Sequence, residues 1–127
     1  MKRDWNLIKG AKRNFELARR YRSAGNSAVA TLLYSKAVQG VLRALYLRRN
    51  GRDAPEEASL GYLASRTSIP EEVEDYIVSV MEPEESGGEL ELMEISEPYV
   101  RRGRFENSLL YLDGLTKRLL DCAGVYG

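Results

Sequence analysis

Leu7, Ile8, Ala11, Phe15 and Ala18 recur at intervals of three and four residues, which gathers them on one stripe at helical pitch. The pattern predicts a first helix from about Asp4 to Ala24, stopped by Gly25, with Asn26 or Ser27 capping the next helix. That second helix is expected from about Ser27 to Arg49, ended by Asn50-Gly51. Its apolar residues (Val29, Leu33, Tyr34, Ala37, Val38, Val41, Leu42, Ala44 and Leu45) wrap most of the wheel, and only Lys36, Gln39 and Arg43 form a plainly polar strip. A helix apolar on most sides is either central in a bundle or covered in part by a partner. Gly40 inside it costs about 1 kcal/mol relative to alanine, so it marks a close helix approach or is simply tolerated.

The middle of the chain is broken into shorter pieces. Pro55 suits a first turn and predicts a short helix to about Ser65. Ser68-Ile69-Pro70-Glu71 reads as a capping box that opens a helix through about Met81, with Val73, Ile77 and Val80 buried and Pro83 as its stop. Residues Glu82 to Glu89 read as an exposed loop. The run 90–95 alternates like a strand, yet Leu92, Ile95 and Tyr99 keep helical spacing, and a lone strand would have nothing to pair with, so helix is preferred. Leu112, Leu115, Leu119 and Cys122 form the stripe of a last helix from about Phe105 to Ala123, stopped by Gly124. The expected class is all-α: an up-and-down antiparallel helical bundle of three long helices plus two or three short ones, as a single domain over residues 1–127.

Composition narrows the chemistry. The chain has no histidine, which removes serine–histidine and cysteine–histidine catalysis, imidazole acid–base work and histidine-bound zinc. Its single cysteine, Cys122, cannot form an internal disulfide or a thiolate metal site, and its place on the last stripe predicts a core thiol. Acid pairs such as Glu71/Asp75 and Glu91/Glu94 are better explained by solvation than by a metal, and no cofactor motif is present. No apolar run reaches the ~20 residues of a membrane span, and the expected location is cytoplasmic. The eight tyrosines are expected to pack their rings and leave the hydroxyl to water or a partner group.

The zero net charge conceals a segregation: residues 1–52 carry +11, residues 53–100 carry −13 and residues 101–127 carry +2. Two basic features stand out. On the first helix Lys2, Lys9, Arg13 and Arg20 fall close together on the wheel, away from the apolar stripe. Between Pro98 and the last helix, Tyr99, Arg101, Arg102, Arg104 and Asn107 bring three arginines to a loop-to-helix junction, where backbone N–H groups and the helix dipole also favour anions. Those arginines suit phosphate or an RNA backbone, and equally the acidic stretch 82–97 of the same chain.

The second helix, from Tyr34-Ser35-Lys36-Ala37 through Leu42-Arg43-Ala44-Leu45 to Asn50-Gly51, resembles the signature of the HEPN family (higher eukaryote and prokaryote nucleotide-binding). The first helix, with Phe15, Ala18 and Tyr21 before Gly25, is similar to that family's opening helix, and Tyr99 to Phe105 before a long amphipathic helix is similar to its ending. The resemblance implies an up-and-down bundle, commonly dimeric. It also implies kinship with RNA-cutting toxins, RNA-processing factors and partners of minimal nucleotidyltransferases. Catalytic members place a histidine a few residues after an arginine; counting on from Arg102, that place is held by Asn107, with Ser108 next, and Ser59-Leu60-Gly61-Tyr62-Leu63 stands where another histidine is often seen. Asparagine hydrogen-bonds but does not shuttle a proton near neutral pH. The expectation is a non-catalytic module acting through protein contacts, as a homodimer and/or with a nucleotidyltransferase-type partner, away from membranes. The alternative is RNA or nucleotide binding through the arginine cluster, with a residual ribonuclease third.

Overall fold

The two long N-terminal helices are joined by three residues. In a computed structural model that describes residues 2–78 and 104–124, with side chains for 3–78 and 109–124, α1 spans Lys2–Ser23 and α2 spans Ser27–Asn50. Gly25 takes φ 83°, and the Asn26 side chain accepts a hydrogen bond from the Val29 N–H at 3.2 Å. Gly51, at φ 73°, closes α2 by donating its N–H to the Leu47 carbonyl at 2.8 Å. Both ends are as the sequence predicts, because glycine enters the left-handed region without a Cβ penalty.

α3 is Leu60–Ser65, α4 is Glu71–Tyr76 and α5 is Arg104–Cys122. All regular structure among the described residues is helical. Two boundaries depart from expectation. The short helix does not begin at Pro55, which only closes a turn with Ala58; Ser59 is the cap, its hydroxyl accepting from the Tyr62 N–H at 3.1 Å. The capping box at Ser68 does not form either. Ser68 stands at φ 52°, its hydroxyl accepts from Arg49, and α4 starts at Pro70 without a side-chain cap. Past Tyr76 the chain widens into a π-type turn over 77–78, and the expected continuation to Met81, the acidic loop 82–89 and the ambiguous run 90–95 lie outside the described residues.

Ile8, Ala11, Phe15 and Ala18 of α1 are buried, as are Ala30, Tyr34, Ala37, Val38, Val41, Leu42, Ala44, Tyr46 and Leu47 of α2. Val73 and Ile77 are buried as expected. Asp4 bonds Arg48, Gly40 faces Ala11, and Phe15 and Tyr34 hold their ring centroids 6.1 Å apart, so α1 and α2 run antiparallel. A Cβ at Gly40 would lie 3.1 Å from the Ala11 Cβ and 3.4 Å from the Leu7 carbonyl; the glycine permits this approach. Asp113 reaches Tyr34, and Arg48 reaches the Ala123 carbonyl, so α5 lies along α2 in the same direction. Tyr76 meets Tyr111, and Glu72 meets Arg118, which sets α4 against α5 in the opposite sense. α2 touches α1, α3 and α5, which accounts for its breadth of apolar surface within the chain.

On α5 the buried arc is Leu109, Leu112, Leu115, Thr116, Leu119, Leu120 and Ala123. Cys122 is exposed, contrary to the expected core thiol. At about 100° per residue it falls at the edge of the arc, and Ala123 takes the inner place. No helix among the described residues is long and apolar enough to cross a membrane.

Candidate functional site

Tyr99, Arg101 and Arg102 lie outside the described residues, as do the side chains of Arg104 and Asn107, whose backbone forms the first turn of α5. The secondary basic face is described. Lys9, Arg13 and Arg20 of α1 are all exposed and enter no ion pair among the described residues. Helical pitch places exposed Glu16 on the same side, which dilutes the cluster.

Three further arrangements escape the sequence pattern. The first lies where α1, α2 and α5 meet. The Asp113 carboxylate, 8% exposed, accepts both nitrogens of the Arg19 fork at 2.8 and 3.0 Å and the buried Tyr34 hydroxyl at 2.6 Å. Burial pushes the Asp113 carboxyl up, but the Arg19 and Tyr34 hydrogen bonds outweigh it and hold the group below the ordinary carboxylate value. Burial, and then the bond to Asp113, pushes the Tyr34 phenol well above its usual range. Arg22 adds a second positive charge; its Nη1 lies 4.0 Å from Asp113 and is buried without a hydrogen-bond partner. A carboxylate that satisfies a buried phenol and a guanidinium fork ties three helices together, and both its oxygens are committed.

The second is the Arg48 clasp. Arg48 donates to the buried Asp4 at 2.5 Å and to the Ala123 carbonyl at 2.8 Å, and lies 5.5 Å from the Trp5 ring centroid. Its hydrogen bond holds Asp4 below the ordinary carboxylate value.

The third occupies the corner between the end of α2 and α3. The Tyr46 and Tyr62 rings stand 6.2 Å apart, and the Arg66 guanidinium lies over the Tyr62 ring at 5.2 Å. Hydrogen bonding from Tyr62, and after it from Arg52, lowers the Tyr46 phenol, while Tyr46 raises that of Tyr62. Tyr46 is therefore the acceptor of the pair. The expectation that tyrosines pack their rings holds for Tyr34 and Tyr46, whereas Tyr21 and Tyr111 are exposed.

The exposed large hydrophobics of the described residues are Trp5, Tyr21, Leu32, Val78, Leu110 and Tyr111. All but Trp5 belong to one end of the molecule. Tyr21 and Leu32 flank the α1–α2 turn, Leu110 and Tyr111 lie within one turn of the Asp113 that bonds Arg19, and Val78 comes two residues after the Tyr76 that meets Tyr111 at 4.5 Å. No group of three or more metal-ligating side chains occurs among the described residues. Comparison with known protein families, with curated proteins and with solved structures finds no match to this chain.

Proposed function

We propose that this protein is a non-catalytic, HEPN-like module, an up-and-down bundle of three long helices. It works in the cytoplasm through protein–protein contact, as a homodimer and/or with a nucleotidyltransferase-type partner. The observation that carries the reading is the collection of Tyr21, Leu32, Val78, Leu110 and Tyr111 at one end, each between 41% and 56% exposed. Apolar side chains gathered in this way favour a covering surface, because each buried square ångström of apolar area contributes about 25 cal/mol. The absence of histidine from the sequence supports a binding rather than a cutting role. Light scattering during gel filtration at micromolar concentration tests the reading. A dimer is expected, and Leu110→Glu with Tyr111→Ser should give a folded monomer. A wild-type monomer that forms no complex with a purified nucleotidyltransferase-type partner would remove it.

A second reading, RNA or nucleotide binding, is favoured by the unpaired Lys9, Arg13 and Arg20 and by the arginine-rich run at Arg101, Arg102 and Arg104. Binding of that kind weakens steeply with salt and falls after Arg102→Ala. Residual RNA cleavage is checked by incubating structured RNA with the wild-type protein and the Arg102→Ala variant; equal cleavage by both marks contamination.

A further inference from the structure

Arginines in this molecule mostly meet carboxylates or carbonyls: Arg3 with Asp53, Arg19 with Asp113, Arg48 with Asp4, Arg118 with Glu72, and Arg43 with the Glu56 carbonyl. The corner between α2 and α3 is different. Arg52 and Arg66 are exposed and enter no ion pair among the described residues, yet both lie close enough to the Tyr46–Tyr62 pair to act on both phenols. Arg49, next to them, donates to the neutral hydroxyl of Ser68. Ser68 is the one non-glycine among the described residues with positive φ, a conformation that costs on the order of 1–2 kcal/mol. Helix polarity explains Arg48 and Arg49, whose charge complements the carbonyl end of α2. It does not explain Arg52 and Arg66, which come from segments beyond that helix and meet at the phenols.

We propose that this corner binds a phosphate group, gripped by the Arg52 and Arg66 guanidinium forks, with the Tyr46 hydroxyl as a neutral donor. Tyr62 already gives its proton to Tyr46, so the Tyr46 proton is left to point to an incoming oxygen. Three phosphate oxygens match two forks and one phenol, whereas a carboxylate, with two oxygens, is filled by a single fork. The site stands apart from the apolar end on which the protein-contact reading rests, so either can fail alone.

Inorganic phosphate titrated into the labelled protein, with arginine Nε–Hε resonances observed by NMR at constant ionic strength, tests the site. Arg52 and Arg66 should shift and saturate together, and Arg52→Ala/Arg66→Ala should weaken binding roughly tenfold or more, the loss of at least one charge-assisted pair. The Arg13→Ala/Arg20→Ala variant should bind as the wild type does. A nucleoside monophosphate that binds the same residues more tightly than phosphate identifies a nucleotide as the source, and equal binding identifies the free anion. Shifts spread over all exposed arginines, or reproduced by chloride alone, would overturn the site. Unchanged binding in a folded Arg52→Ala/Arg66→Ala protein would do the same.

Discussion

Two groups of arginines in this protein differ in what faces them. Around Asp113, Arg19 and Arg22 meet a carboxylate that also satisfies the Tyr34 hydroxyl, and the charge is committed to holding α1, α2 and α5 together. At the α2–α3 corner, Arg52 and Arg66 meet phenols and no carboxylate, so their charge is left for something outside the chain. The same residue type is structural in one place and available in the other. The single acid at position 113 makes the difference.

The contrast breaks hardest at that acid. Asp113→Ala strips the acceptor from Tyr34 and Arg19 and leaves a buried hydroxyl beside two guanidiniums. The expected loss is about 2–3 kcal/mol, toward the lower end for a broken buried pair because the Arg19 side chain is 46% exposed. Urea unfolding measures it. Gly40→Val should come next, at about 2 kcal/mol, since the added atoms meet the Ala11 Cβ and the Leu7 carbonyl. Tyr34→Phe leaves the Arg19 fork in place and should cost about 1 kcal/mol. Arg66→Ala should change stability by less than about 0.5 kcal/mol, because its contacts lie on the surface. A large loss there would mean that the corner is structural after all.

Proton linkage sharpens the same contrast. Asp113 and Asp4 have folded values below the ordinary 3.8, so their contribution is complete above that pH and is lost as the pH falls through the lowered folded values. Tyr34 has a folded value above its ordinary 10.0, so its contribution is complete below pH 10 and is lost as pH rises beyond it. Stability measured against pH should therefore fall at both extremes. Asp113→Asn should flatten the acid limb, and Tyr34→Phe should flatten the alkaline one.

Helical pitch alone makes most of the scaffold legible. The stripe of α1, the breadth of α2, the glycine stops at 25, 51 and 124 and the close approach at Gly40 are local consequences of residue type and spacing. The start of α3 escapes the pattern because Ser59 out-competes Pro55 as the first cap, and the capping box at Ser68 fails because Arg49, nineteen residues earlier, takes its hydroxyl. Cys122 lies one position away from the inner place on its wheel, too fine a difference for spacing to resolve. The Asp113 network and the Tyr46–Tyr62 corner join residues 16 to 94 positions apart, and no spacing rule reaches so far. One signal does exist for the first: a lone acid among the apolar residues of α5 asks for a buried partner.

One titration tests the contrast between the two arginine groups most directly: inorganic phosphate added to the wild-type protein, with Arg19 and Arg66 Nε–Hε signals tracked in the same spectra. The Arg66 resonance should move and saturate while that of Arg19, locked on Asp113, stays where it is. Movement of both in parallel, or of Arg19 alone, would contradict the division of structural from available charge.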